Sequence, residues 1–230
     1  MKKNFAILGL IPARSGSKGL KNKNILKIGK KSLIEFSIIE AKKCKKIKKL
    51  IISTDSKKII NISKNYDLET IKRPKKLCLD STKIFDVIMH ALKVEKKQKN
   101  EYDYVVLIQP TTPLKTKKML DEGIKIIIKK KSDTLVSVYP VEDNHPARMY
   151  KINRGYLKPM IRNMQSQNRQ DLSKIYHRDG NVYIFKVKSL YANNSLYGKK
   201  ISPLIVNPKY KLNIDTLEDF NYAKYKMKKK

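Results

Sequence analysis

Apolar runs of strand length and apolar stripes of helical period alternate four times within the first 140 residues. No other feature of the chain restricts its fold so tightly. Asn4–Ile11 is an apolar run ending at Pro12, the length of a buried strand. Leu33–Cys44 reads as a helix with Ser32 at its N-cap, Leu50–Ser53 as a short strand and Lys57–Lys64 as a second helix. Ile84, Val87, Ile88, Ala91 and Leu92 repeat at i, i+3, i+4, i+7 and i+8, which predicts an amphipathic helix. Tyr104–Ile108 is another buried strand, closed by Gln109-Pro110-Thr111-Thr112-Pro113. Leu120, Ile124, Ile127 and Ile128 then stripe a helix before a strand at Thr134–Val138. This is the βαβ rhythm of a doubly wound parallel sheet, an α/β fold whose ligands gather at the carboxyl ends of the strands.

The rhythm breaks between Pro140 and Arg178, a polar stretch too long for an ordinary connection and therefore functional or an oligomer arm. Strands resume at Asn181–Val187 and Ile201–Val206. Thr216 followed by Asp219 then marks a capping-box start for a last helix. With 230 residues and no internal repeat, residues 1–230 form a single domain with 140–185 as an excursion.

The net charge of +33 raises nucleic-acid binding first. It is carried by 46 Lys against 7 Arg, whereas nucleic-acid readers favour the planar, bidentate guanidinium. The lysines are spread along a chain also rich in Ile and Asn, as coding bias would leave them. The expectation is a solvated basic surface and no nucleic-acid partner. Cys44 and Cys78, without a Cys/His cluster, exclude a disulfide framework and a zinc finger. No apolar run reaches the roughly 18 residues of a membrane span, and the Met-Lys-Lys-Asn start leads into no signal-peptide core. A soluble, cytoplasmic protein without a membrane partner is expected.

Arg14-Ser15-Gly16-Ser17-Lys18-Gly19 directly follows the first strand. Glycines there bring backbone N–H groups close to a polyphosphate while Arg and Lys neutralise its charge. Neither GxxxxGK[ST] nor GxGxxG is present, and a basic surface turn is the competing account. Asn213-Ile214-Asp215 places a carboxylate at a strand end, as Mg²⁺ requires when it shares its shell with substrate phosphates. Asp215 could equally serve only to start the last helix. Arg169-Gln170 lies in the irregular segment, where an arginine could grip a carboxylate bidentately. His177 invites a general-base reading, but a lone histidine is more often a bystander. No Ser/His/Asp or Cys/His constellation has sensible spacing.

Taken in order, these segments resemble the acylneuraminate cytidylyltransferase family, the CMP-sialic acid synthetases with their legionaminate and pseudaminate relatives. The matching pieces are Ile11-Pro-Ala-Arg-Ser-Gly-Ser-Lys-Gly-Leu20 with Lys23-Asn24, Arg73-Pro74, Asp80-Ser81-Thr82 and Leu107-Ile-Gln-Pro-Thr-Thr-Pro-Leu114. His145-Pro146, Arg169-Gln170, Asp179-Gly180 with Tyr183, and Asn213-Ile-Asp-Thr216 complete the set. The resemblance implies a three-layer Rossmann-like nucleotidyltransferase fold, a mostly parallel sheet with an inserted dimerisation arm. It implies CTP and a nine-carbon acidic sugar as substrates, CMP-sugar and pyrophosphate as products, Mg²⁺ as cofactor, and a homodimer.

Carried over to this chain, Arg14 and Lys18 would hold the triphosphate and Arg169 would act at the sugar end. Asn24, Arg73, Ser81 and Thr82 would place the cytidine, and Gln109 would meet the sugar. Ala13, Gln170 and Tyr183 would also bind substrate, and Asp215 with Asn213 would bind the metal. The chain departs from the family at Asn213, where many members carry Asp, at Asp179 in place of Asn, and at Lys83-Ile84. The KDO-activating cousins are the nearest alternative, and they resemble this chain less in the first loop.

Overall fold

In a computed structural model the described residues are 4–16, 19–141, 143–162 and 168–228, with Arg169 described in its backbone alone. The first strand, β1 (Ile7–Pro12), leads through a glycine-containing loop to a two-strand hairpin, β2 (Lys27–Ile28) and β3 (Lys31–Ser32). Ser32 then opens α1 (Leu33–Lys43) with a full capping box, its amide and hydroxyl both bonded to Glu35. There follow β4 (Lys49–Thr54), α2 (Lys57–Lys64), β5 (Glu69–Lys72), α3 (Ile84–Lys97), β6 (Tyr104–Leu107), α4 (Lys117–Lys130) and β7 (Thr134–Pro140). An exposed hairpin, β8 (Tyr150–Asn153) and β9 (Tyr156–Pro159), leaves the body before β10 (Tyr176–Lys186) returns to it. The chain closes with α5 (Val187–Asn193), β11 (Ile201–Ile205) and α6 (Leu217–Lys228).

Seven strands form the main sheet in the order β11-β7-β10-β6-β1-β4-β5. Only β10 runs against its neighbours, pairing antiparallel with both β6 and β7. Side chains of β1 alternate between two cores, as the period of a strand requires. Ile7 and Ile11 pack with Ile34, Ile38, Ile59, Leu120 and Ile124 of α1, α2 and α4. Leu8 and Leu10 pack with Ile88, Ala91, Leu92 and Leu190 of α3 and α5. The three-layer, mostly parallel architecture expected from the strand–helix alternation is therefore the one observed.

Differences concentrate where the apolar pattern is weak. The strand expected at Asn181–Val187 begins at Tyr176 and ends at Lys186, and Val187 already belongs to α5. Its first half is polar and exposed but lies across β7, held by backbone pairing rather than by burial. A bulge between Arg178 and Tyr183 splits that strand, with Gly180 at φ 79°. The part of the irregular segment that leaves the sheet thus runs from the end of β7 to Ile175. It is tied down at one point by His145, whose Nδ1 accepts from Ala147 N and whose Nε2 lies 3.1 Å from the Ser173 carbonyl. Both ring nitrogens are engaged there, which is a structural use.

Candidate active site

Two adjoining cavities open at the carboxyl ends of the central strands. The one over β1 and β4 encloses about 580 Å³ and is lined by Arg14, Gly19, Lys23, Asn24, Arg73 and Thr82. The other, over β10, encloses about 820 Å³ and is lined by Tyr139, His177, Arg178, Asp179, Tyr183 and Lys211. Gln109, Thr111 and Asp215 line both, so a ligand in one cavity can meet a ligand in the other across these residues.

The first cavity is built from strand ends. Ala13 is fully buried and extends β1 through its amide to the Ser53 carbonyl. It therefore sets the path of the chain into Arg14, which lines the cavity. The Arg14 guanidinium donates to the Cys78 carbonyl at 2.9 Å and pairs with the Asp80 carboxylate, joining the loop after β1 to the loop before α3. Ser15 donates from its amide and hydroxyl to the two oxygens of Asp55, at 2.7 and 2.6 Å. Burial disfavours charge on Asp55, but these two bonds and nearby Arg73 outweigh it and hold the carboxyl below its ordinary range. Asn24 is buried and donates to the Arg14 carbonyl, so it orders the arginine's own backbone. Arg73, only 6% exposed, donates to the Ser53 hydroxyl and carbonyl at 3.1 and 2.8 Å. Gly19 approaches so closely that an added Cβ would stand 2.7 Å from the Asp215 carbonyl oxygen. That contact explains the glycine without any appeal to backbone strain.

At the shared wall, Lys23 Nζ lies 2.7 Å from Asp215 Oδ1, and the Asn213 amide nitrogen donates to the other oxygen. Ile214 N donates to the Thr111 carbonyl at 2.9 Å, fixing the Asn213–Asp215 turn to the loop after β6. The same region supplies a capping box for α6: Asp219 accepts from the amides of Asp215 and Thr216, and Thr216 Oγ1 accepts from Asp219 N. Asp219, and not Asp215, is thus the capping carboxylate, which leaves Asp215 facing the cavities. Among the described residues no three His, Cys, Asp or Glu side chains cluster as a protein-only metal cage would need. One carboxylate beside an amide oxygen, already drawing a cation, does suit Mg²⁺, which keeps most of its shell for water and phosphate.

Of the residues singled out in the sequence, Arg14, Asn24, Arg73, Thr82, Gln109, Tyr183, Asn213 and Asp215 line the two cavities, whereas Ala13 is fully buried and lines neither. Ser81 is exposed and is not part of the cavity wall that Thr82 joins. Gln170 is exposed on a short 3₁₀ turn of the arm and lines neither cavity. Lys18 and the side chain of Arg169 lie outside the described residues. Sequence reasoning assigned no role to Lys23, Asp55 or Lys115. Lys23 stands next to Asn24 in the Lys23-Asn24 motif; Lys115 carried no signal because one lysine in so basic a chain looks like the rest, and Asp55 none because no spacing ties it to Ser15, 40 residues away. Lys115 is fully buried. Burial pushes its ammonium down to about 7, opposed by the charges of Asp179 and Glu40.

Comparison with known proteins agrees with this fold. The family model for cytidylyltransferase matches residues 8–228. The chain belongs to the cytidylyltransferase family. It is 31% identical over 227 residues to post-translational flagellin modification protein B of Campylobacter coli, covering 97% of this chain and 96% of that protein. It is 30% identical to the CMP-N,N'-diacetyllegionaminic acid synthase of Campylobacter jejuni, covering 95% and 94%. Against the N-acylneuraminate cytidylyltransferase of Escherichia coli O18:K1:H7 it is also 30% identical, spanning 94% of this chain and 51% of that longer one. Among solved structures, a CMP:2-keto-3-deoxy-manno-octonic acid synthetase complexed with CTP superposes with a TM-score of 0.71 at 14% identity, covering 97% and 99%. At that identity the likeness concerns the fold alone. No helix among the described residues is long and apolar enough to cross a membrane.

Proposed function

We propose that this cytidylyltransferase activates a nonulosonic, sialic-type acid with CTP, releasing pyrophosphate and the CMP-sugar. The observation that carries the reading is the pair of cavities joined through Gln109, Thr111 and Asp215. The one beside the glycine-containing loop after β1, lined by Arg14, Lys23 and Arg73, takes the nucleotide, and the larger one, lined by Arg178, Lys211 and Lys226, takes a polar, acidic sugar. The names of the relatives, which act on legionaminic and N-acylneuraminic acids, supply the substrate class.

The anomeric hydroxyl of the acid attacks the α-phosphorus of CTP. A new P–O bond forms, the bond to the bridging oxygen of pyrophosphate breaks, and the hydroxyl proton leaves to solvent. No covalent enzyme intermediate is required, so positioning and charge neutralisation supply the acceleration. In this reading Arg14 and Lys18 hold the triphosphate. For Arg14 that means exchanging the Asp80 carboxylate for phosphate. Lys23, beside Asp215, neutralises charge at the reacting end. Asn24 and Arg73 keep the nucleotide pocket in shape, Thr82 closes it, and Gln109 and Tyr183 face the sugar. Asp215, with Asn213, would hold Mg²⁺, which when bound adds positive charge beside the phosphates.

The arm is assigned to a homodimer. On the β8–β9 hairpin Ile152, Tyr156 and Leu157 are 78%, 77% and 65% exposed, an apolar surface that a second copy would cover. Gln170 and Arg169, on the same arm, would then serve the neighbouring subunit's sugar cavity. The reaction is placed in the cytoplasm, where CTP is made.

The test is pyrophosphate release from CTP and Mg²⁺ with N-acetylneuraminate, legionaminate, pseudaminate and KDO offered separately. Release with one of the nine-carbon acids is the expected result and names the substrate. Release with KDO alone would replace the reading by the KDO-activating one, and silence with all four from folded protein would refute it.

A further inference from the structure

A lysine is the residue type least often buried without a carboxylate in contact. Lys115 is 2% exposed, and no ion pair reaches its Nζ among the described residues. Its three donors instead meet three oxygens: the Gln109 carbonyl at 2.6 Å, the Thr112 carbonyl at 2.7 Å and Ser37 Oγ at 3.1 Å. That saturates the hydrogen-bonding capacity of a charged ammonium, and would leave a neutral amine one donor short. Asp179 on β10 and Glu40 on α1 are the carboxylates facing it at longer range. Each already has closer partners, Asp179 in Ser137 and Asn181, Glu40 in the Lys117 amide.

Two of the oxygens Lys115 gathers, the Gln109 and Thr112 carbonyls, belong to the loop that separates the two cavities, and the third, Ser37 Oγ, belongs to α1. Gln109 and Thr112 turn their carbonyls inward to Lys115, while Thr111, between them, turns its carbonyl outward to Ile214 N. Adjacent carbonyls thus point in opposite senses, one pair held by the lysine and one by the Asn213–Asp215 turn. Thr112 Oγ1 stands 3.2 Å from the Gln109 carbonyl and 3.3 Å from the Gly180 carbonyl, and a Cβ added at Gly180 would meet Thr112 Cγ2 at 3.2 Å and Gln109 Oε1 at 3.5 Å. The loop thus lies close against the bulge of β10.

We propose that Lys115 is a positioning residue for sugar recognition: its buried ammonium holds the Gln109–Thr112 loop so that the Gln109 side chain stands at the wall between the two substrates. This rests on the assignment of Gln109 to the acid given above. A lysine serving the fold alone would set thermal stability and leave the two Michaelis constants in proportion.

The experiment compares Lys115→Met, Lys115→Arg and Ser37→Ala with the wild-type full chain, using whichever acid supports pyrophosphate release. Lys115→Met matches the volume but removes every donor. It should lower kcat/KM for the acid on the order of 10- to 100-fold, with KM for CTP within about 3-fold. Lys115→Arg, which keeps a permanent charge and several donors, should recover most of that loss. Ser37→Ala removes one acceptor and should raise KM for the acid by about 3-fold. If Lys115→Met yields no folded protein, the other two decide: an unchanged KM for the acid in Ser37→Ala overturns the proposal. So does a Lys115→Met enzyme that melts earlier yet keeps both constants, or one in which both rise together. A wild-type chain silent with every acid would remove the substrate assignment and this role with it, whereas an active wild type without the split would remove this role alone.

Discussion

Asn213→Asp is the perturbation that examines the metal assignment most directly. The Asn213 amide donates to one oxygen of Asp215 while Lys23 Nζ sits 2.7 Å from the other. Asp at position 213 replaces that donor by a second carboxylate. Two unit charges about 4 Å apart repel by about 1 kcal/mol in water-like surroundings and about 4 kcal/mol at an effective dielectric of 20. The Asp215 side chain is 61% exposed, which selects the lower figure. Loss of the N–H···O bond adds about 1 kcal/mol, and Lys23 takes part of the total back. A divalent cation between the two carboxylates relieves what remains, roughly 1.4 kcal/mol, so Mg²⁺ should bind about 10-fold more tightly. Calorimetric titration of the nucleotide-free protein with Mg²⁺, beside the Mg²⁺ midpoint of pyrophosphate release, reads the effect twice. Unchanged or weaker binding in both would refute the assignment of Asp215 and Asn213 to the metal.

Lys23→Met should give effects of opposite sign. Mg²⁺ alone binds slightly tighter, by about 2- to 5-fold as for an exposed ion pair removed, while turnover falls at least about 10-fold because a cation is missing beside the phosphates. Gly19→Ala forces a Cβ to within 2.7 Å of the Asp215 carbonyl oxygen, a backbone atom that cannot step aside. Its kcat/KM for CTP should drop about 10- to 100-fold, with a modest fall in melting temperature. Acid should destabilise the protein through Asp55, Glu35, Asp121 and Asp219, all held below their ordinary range. The unfolded chain binds these protons first, so the stability these four carboxylates supply, read from the urea midpoint, should be complete above about pH 5 and be lost as the pH falls below about 4. Asp55→Asn should flatten part of that fall. Ile152→Glu with Leu157→Glu charges the exposed hairpin; sedimentation should report a dimer for the unaltered chain and a monomer for this variant.

Much of the smaller cavity was legible because it is local. Arg14 and Asn24 belong to one loop after an apolar strand, and that loop's position at the strand end follows from the βαβ pattern alone. The Ser32 cap on α1 and the Thr216–Asp219 cap on α6 were likewise readable from spacing. The larger cavity was harder. Its wall draws on β7, β10 and the turns before α6, residues far apart in the chain that no periodicity connects. The first half of β10 is polar and exposed, so the apolar pattern started that strand five residues too late.

What the sequence by itself determined was the class of fold and the chemistry at the strand ends. Alternating apolar runs and stripes can be buried together only as a sheet between helices, and the βα loops must then converge at one edge. What only the tertiary structure decided was which charges meet. Lys23 and Asp215 are 192 residues apart, Arg14 and Asp80 are 66 apart, and Ser15 reaches Asp55 across 40 residues. Lys115 is one of 46 lysines until the loop folds around it and removes its ammonium from water. A side chain's charge is written in the sequence, but its solvent and its partners are properties of the folded surface, and those set what the charge can do.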